Sequence, residues 1–204
     1  MERITRDNLP HIVCCGFRLS RRRLSTVRAY IEAKWWNVEI DDNCWFDGRA
    51  HFKRHPGSRI TIGAGCRFNS SPASNAAGMN HPCIISTLKE SAEIEIGSGC
   101  GFSGTAIVCA TKIVLGENVR CGANTLIIDT DGHADDPRAT ADAPIVIEKG
   151  VWLGLNVTVL KGVTIGEGTL VGANSLVTKS LPAGVIAVGN PARVLRKIDV
   201  SDIQ

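Results

Sequence analysis

The sequence predicts an all-β fold, a parallel β-helix in which short strands stack coil upon coil, and three columns of residues predict it. Residues 147–181, IEKGVWLGLNVTVLKGVTIGEGTLVGANSLVTKSL, place an aliphatic side chain every six residues, at Ile147, Leu153, Val159, Ile165, Val171 and Val177. Four residues after each stand Val151, Val157, Val163, Thr169, Ser175 and Leu181, never a charge. Between them Gly150, Asn156, Gly162, Gly168, Asn174 and Ser180 form a third column, five of the six being Gly or Asn. These residue types tolerate positive φ most cheaply. A period of six is neither the 3.6 of an amphipathic helix nor the alternation of a half-buried strand. A short strand followed by an obligatory turn satisfies it. Three such units, about eighteen residues, close one triangular coil, and coils pair edge to edge at about 4.8 Å.

The bulk properties agree. A chain of 204 residues, 44% hydrophobic but only 5% aromatic, suits a narrow interior filled by Val, Ile, Leu and small residues. A net charge of +3 is too mild to argue for nucleic acid. The dense basic run from Arg18 to Arg28 (Arg18, Arg21, Arg22, Arg23, Arg28) reads as a solvated helix face or as a peripheral contact with an anionic membrane or glycolipid. No apolar run at the start is long enough for a signal peptide and no later segment could span a bilayer, so the expected location is cytoplasmic. Cys66 and Cys100 occupy the inward slot that Val and Thr hold later, and Cys121 falls in the main inward column. They read as reduced core residues rather than disulfide partners or metal ligands.

In chain order, residues 1–45 lack the period and are expected to cap the coil stack. Ser25–Trp36 suggests a short helix with Ser25 as N-cap, and Val27, Tyr30, Ile31 and Trp35 would share the face that closes the prism. The β-helix is expected over residues 46–182, its first recognisable coil beginning near Arg59. Two polar stretches break the period, near residues 71–82 and 129–144. From Ile127 to Ile147 is twenty residues, not a multiple of six, so the second stretch must leave the solenoid. Polar excursions from a regular scaffold are where binding chemistry sits. Residues 183–204 read as a tail folding back along the prism.

The DTDGH around His133, the Val-Trp-Leu-Gly of residues 151–154 and the Gly-Asn-Pro-Ala-Arg of residues 189–193 together resemble the left-handed β-helix, hexapeptide-repeat acyltransferases, in particular the sugar O-acetyltransferases. The similarity covers roughly residues 59–197. It implies a homotrimer, with acetyl-CoA in a groove between adjacent prisms, no metal, and a sugar or glycan acceptor.

His133 is the candidate general base, since neutral imidazole accepts a hydroxyl proton near pH 7. Its alternative is a core residue, because an unbroken repeat would point it inward. Asp129 or Asp131 would stabilise the imidazolium. Trp152 should point outward, and the resemblance puts it at the subunit interface beside the catalytic histidine. The resemblance also carries Gly154 and Ala173 to the pantetheine arm, and Thr178, Lys179, Arg193 and Arg196 to the phosphate and adenosine end. Asn80, His81 and Ser103 are the acceptor candidates, His81 being equally readable as a surface histidine. Two departures from the family pattern are Leu155, where some members carry Ser, and Ser103, the nearest match to an acceptor Asn. The expected reaction is direct acetyl transfer to a sugar hydroxyl in a ternary complex; N-acylation of an amino-sugar nucleotide is the alternative. A γ-class carbonic anhydrase shares the prism but needs three zinc-bound histidines.

Overall fold

The structure, a computed structural model, describes residue 6, residues 9–133 and residues 135–198. The side chains of His11 and Arg18 and the last residues of the tail, 199–204, lie outside the described residues. A helix, α1 (Leu9–Trp35), leads into six coils of three strands. The first coil is β1 (Glu39–Ile40), β2 (Trp45–Asp47) and β3 (His51–Lys53); the second is β4 (Arg59–Ile62), β5 (Arg67–Asn69) and β6 (Ile84–Thr87). The third is β7 (Glu93–Ile96), β8 (Gly101–Ser103) and β9 (Ala106–Cys109); the fourth is β10 (Lys112–Leu115), β11 (Arg120–Cys121) and β12 (Leu126–Ile128). The fifth is β13 (Ile145–Ile147), β14 (Trp152–Leu153) and β15 (Thr158–Val159); the sixth is β16 (Thr164–Ile165), β17 (Leu170–Val171) and β18 (Leu176–Val177). Then follow β19 (Val185–Val188) and β20 (Arg193–Lys197).

Each coil gives one strand to each of three parallel sheets. Face one is β1-β4-β7-β10-β13-β16, face two begins β2-β5-β8-β11-β14-β17, and face three is β3-β6-β9-β12-β15-β18. The inward columns are those expected: Ile147, Leu153, Val159, Ile165, Val171 and Val177 are completely buried. Gly150, Asn156, Gly162, Gly168 and Asn174 all have positive φ, whereas Ser180 does not.

The first coils use larger fillers. Phe46, Phe68 and Phe102 stack with ring centroids 4.7 and 4.9 Å apart, which is the strand spacing, so the rings rise one per coil. Beside them Cys44, Cys66 and Cys100 each donate a thiol hydrogen bond to a carbonyl in the following coil, of Gly63, Gly97 and Gly116, at 3.2–3.3 Å. None of the eight cysteines forms a disulfide.

Four expectations need correction. The solenoid starts at Glu39 rather than residue 46, because β1 and β2 pair in register with β4 and β5, although the corners around β2, Asn43 and Gly48, are five residues apart and break the six-residue rhythm. The helix is much longer than Ser25–Trp36 and runs through Ser25, so that residue caps nothing; the arginine run belongs to the helix, as arginine's good helix propensity allows. The helix face against the prism is Thr26, Ala29, Tyr30 and Ala33, while Val27, Ile31 and Trp35 face solvent. Small residues let the helix axis lie close on the first coil. Finally, β19 continues face two in parallel beside β17, and only β20 turns back, antiparallel to β19.

Replacing Phe68 with Ala removes the middle ring of the stack where a rigid backbone prevents collapse. The unfolding free energy should fall by about 3–5 kcal/mol in denaturant titration.

Candidate active site

The turn from face three to face one in the fourth coil is replaced by residues 129–144. Asp129 closes the base of this excursion and is fully buried. Its carboxylate accepts from the amides of Ala110 (2.6 Å) and Thr111 (2.8 Å), the Thr111 hydroxyl (2.8 Å) and the Cys109 thiol (3.4 Å). Burial, followed by the charge of Asp129, pushes the Cys109 thiol up to about 12, so it stays protonated and donates. Asp131 is exposed and takes Lys161 Nζ at 2.5 Å and the Thr140 amide at 3.0 Å. Those contacts, Lys161 first, hold its carboxyl below the usual carboxylate range. Lys89 likewise pairs with Asp142 and depresses its carboxyl. The loop is thus strapped to the turn after β6 through Lys89 and to the turn after β15 through Lys161.

His133 lies exposed on this strapped loop, not in the core. With Lys89, Thr130, Asp131 and Asp142 it lines an open cleft of about 220 Å³. Among the described residues no polar atom hydrogen-bonds its ring, so neither aspartate supports the imidazole within this chain. For Asp129 the reason is full occupation of its carboxylate by the corner amides, which corrects its reading as an imidazole partner. For Asp131 it is the competing ammonium of Lys161.

The remaining candidates fall into separate groups. Trp152 stands outward on face two and is half exposed, paired in register with Arg120 and Leu170. Gly154 and Ala173 follow on the edge between faces two and three. A side chain at Gly154 would meet the Ala173 amide at 2.7 Å, so coil stacking alone demands glycine there. Asn80, His81 and Ser103 gather at the same edge, in earlier coils. The Asn80 amide donates to Asn124 Oδ1 (2.8 Å), the His81 Nδ1–H donates to the Pro82 carbonyl (2.9 Å), and Ser103 Oγ accepts from Asn69 Nδ2 (3.2 Å). Arg193 and Arg196 sit on β20 at the margin of face two. Thr178 and Lys179 are exposed in the turn from face three to face one, on the edge that carries His133. In a three-faced coil that edge lies opposite face two. One chain therefore holds two half-sites, the His133 edge and the Trp152 face, that do not converge.

Sequence reading missed a groove of about 500 Å³ on face two. Arg67, Gly101 and Arg120 are consecutive partners in the outward column that leads to Trp152, and no atom lies within 4 Å of where a Gly101 side chain would begin. Two guanidinium groups thus flank a bare strand, with Asn69 and Ser103 beside them. The signal was present: each arginine stands one residue before an inward Phe68 or Cys121, the slot of Trp152.

Comparison with known proteins supports the resemblance. Residues 144–179 match the family model described as bacterial transferase hexapeptide (six repeats), so the chain carries the hexapeptide repeat of that transferase family. It is 43% identical over 103 residues to a galactoside O-acetyltransferase of Lactococcus lactis, covering 48% of this chain and 49% of that one. It is 42% identical over 105 residues to a putative acetyltransferase of Schizosaccharomyces pombe, covering 49% and 48%. The matched chain therefore spans about half the length of these curated relatives. In fold it is similar to a variant of AntD, an N-acyltransferase from Bacillus cereus in complex with dTDP-4-amino-4,6-dideoxyglucose and coenzyme A. The TM-score is 0.65 at 21% identity, over 85% of this chain and 91% of that one.

Asp129→Asn puts an amide group against two backbone N–H donors. It should lower the unfolding free energy by about 2–3 kcal/mol, whereas Asp131→Asn should leave the melting temperature nearly unchanged. The depressed Asp131 carboxyl fixes the pH response of the loop strap. Its contribution is whole above the ordinary carboxylate pKa of about 4 and is lost as pH falls through the lower folded value. Hydrogen-exchange protection of residues 130–133 and 135–142, taken relative to the intrinsic exchange rate at each pH, should therefore fall only below about pH 4.

Proposed function

We propose that the protein is an acetyl-CoA-dependent O-acetyltransferase acting on a sugar hydroxyl, as a homotrimer of left-handed prisms. The observation that carries this reading is the separation of the half-sites. His133 and Trp152 lie on an edge and its opposite face, so a closed ring of copies is needed to set one chain's His133 against the next chain's Trp152. In that ring the acetyl thioester lies in the groove between two prisms. Gly154 and Ala173 run along the pantetheine arm, and Thr178, Lys179, Arg193 and Arg196 meet the phosphates.

His133 takes the proton of the acceptor hydroxyl as its oxygen bonds to the thioester carbonyl carbon. The tetrahedral intermediate then collapses by breaking the C–S bond, and the departing thiolate takes the proton from the imidazolium. No acyl-enzyme is required, and the buried Cys109, with its thiol pushed up to about 12, is a poor nucleophile. The acceptor is placed on the Asn69, Ser103, Asn80 and His81 side, and the arginines flanking Gly101 favour an anionic glycan. Surface polysaccharide or glycolipid synthesis in the cytoplasm is the setting that fits such an acceptor.

A second reading, N-acylation of an amino-sugar nucleotide, draws support from the fold likeness to AntD. Mild base releases an ester-linked acetyl group and spares an amide, and so separates the two readings. His133→Ala should lower kcat/KM for acetyl transfer by about 10²–10⁴ with the melting temperature unchanged, because the side chain is exposed. Unchanged turnover in that variant would overturn the role given to the imidazole.

A further inference from the structure

Helix α1 has two unlike faces. On one, Ala29 and Ala33 press against the first coil, the Thr26 hydroxyl accepts from the Phe46 amide, and the Tyr30 hydroxyl donates to the Asp41 carbonyl. On the other, Val13, Phe17, Leu24, Val27, Ile31 and Trp35 recur three, four or seven residues apart and so form one stripe. Every one of them is more than half exposed, Phe17 by 78% and Trp35 by 85%. Small residues face inward and large apolar ones outward, the reverse of what capping alone requires.

The stripe has a charged border. At 3.6 residues per turn, Arg23 and Lys34 fall on one side of it and Arg21 and Arg28 on the other. Glu32, the single acid of the helix, is paired with Arg49. Residues 9–35 hold six basic side chains (Arg18, Arg21, Arg22, Arg23, Arg28, Lys34) and one acidic, a net of +5 in a chain whose total is +3. A second copy of the helix laid on the stripe would bring cations against cations on both borders, the opposite of the mixed flanks that pair helices. An anionic surface satisfies both borders at once. Beyond Trp35, a hollow of about 390 Å³ is lined by Arg28, Ile31, Glu32, Trp35, Trp36 and Arg49; Glu32 pairs with Arg49 there, which leaves Arg28 as the cation available to a phosphate head group. Among the described residues no helix is long and apolar enough to cross a bilayer. A helix of 27 residues, about 40 Å long, with Trp and Phe on one face and arginines along its borders, has the character of one that lies in the interface.

We propose that α1 docks this protein on the surface of anionic phospholipid bilayers, the stripe entering the acyl boundary and Arg23, Arg28 and Lys34 meeting lipid phosphates, while Arg21 is held by the buried Asp47 of the first coil. The full chain should sediment with vesicles containing phosphatidylglycerol and stay in solution with phosphatidylcholine alone. Binding should weaken as salt rises. The triple variant Phe17→Ser, Leu24→Ser, Ile31→Ser should bind at least about tenfold more weakly, with melting temperature and oligomeric mass unchanged. The pair Arg23→Glu, Arg28→Glu should abolish the preference for the anionic lipid. Failure of the unaltered chain to sediment, or equal binding by the triple variant, would overturn the proposal. So would a drop in oligomeric mass in that variant, which would assign the stripe to a second copy. None of these readouts depends on acetyl transfer.

Discussion

Everything in this molecule follows from the requirement that each coil lie in register on the one before it, a single strand spacing away. The turn from face one to face two therefore repeats one backbone conformation at one place. Positive φ recurs at Asn43, Gly65, Gly99, Asn118, Gly150 and Gly168, one per coil, and again at Gly184 before β19. Stacking also brings turn against turn: a side chain at Gly97 would meet the Gly116 carbonyl carbon at 2.6 Å, and one at Gly116 would meet the Lys149 amide at the same distance. Glycine and asparagine are held at these corners by sterics and not by chemistry. Gly154 is governed by the same contact, so its smallness is explained before any cofactor is considered.

A solenoid under this constraint can leave its path only if it returns in register. At the face three to face one edge of the fourth coil, the departing chain would strand the amides of Ala110 and Thr111 in the coil beneath. Asp129 supplies the acceptor they would otherwise lack. Such charge-assisted bonds at a buried site are strong, and an unmet amide there is costly. The two ion pairs farther out, Lys161 with Asp131 and Lys89 with Asp142, are exposed and add little to stability. Their effect is positional, since they tie the loop bearing His133 to the coils on either side of it.

The parts of the fold legible in the sequence were those where packing and backbone conformation act together. The inward columns of residues 147–181 could be read directly because aliphatic residues and Gly/Asn corners repeat without insertion. Glu39–Lys53 escaped because Phe46 and Phe52 fill the prism in place of Val and Ile, and its corner residues, Asn43 and Gly48, are five residues apart rather than six. The helix face was misjudged for a physical reason: large apolar residues were assigned to the buried side, whereas Ala29 and Ala33 allow the closest approach. In the site, the excursion followed from a broken period, whereas the exposure of His133 was one of two open readings, which its place on the strapped loop decides. Asp129 and Asp131, two residues apart, look alike in sequence, and only the buried amides of Ala110 and Thr111 separate an acid used by the fold from one on the surface. Arg67 and Arg120 could have been found by extending the outward slot of Trp152 back through the earlier coils.

That outward column also suggests how the proposed reaction divides its labour. Along face two it runs Trp45, Arg67, Gly101, Arg120, Trp152, Leu170 and Ile186, each the register partner of the next. Its charged members belong to the second and fourth coils, and its apolar members from Trp152 onward to the fifth and later ones. A polar acceptor suits the first group and an uncharged pantetheine arm the second, so the two substrates would approach from opposite ends of one groove. Trp152 stands at the boundary between them. The loop of His133 leaves the prism between the fourth coil, which ends with β12, and the fifth, which holds Trp152, so the two lie within about one strand spacing in height. In a ring of copies related by rotation about an axis along the prisms, one chain's imidazole would then come within about one coil of its neighbour's Trp152, where the thioester and the hydroxyl have to meet. Register, which fixes the fold, would in this way also fix the height of the chemistry.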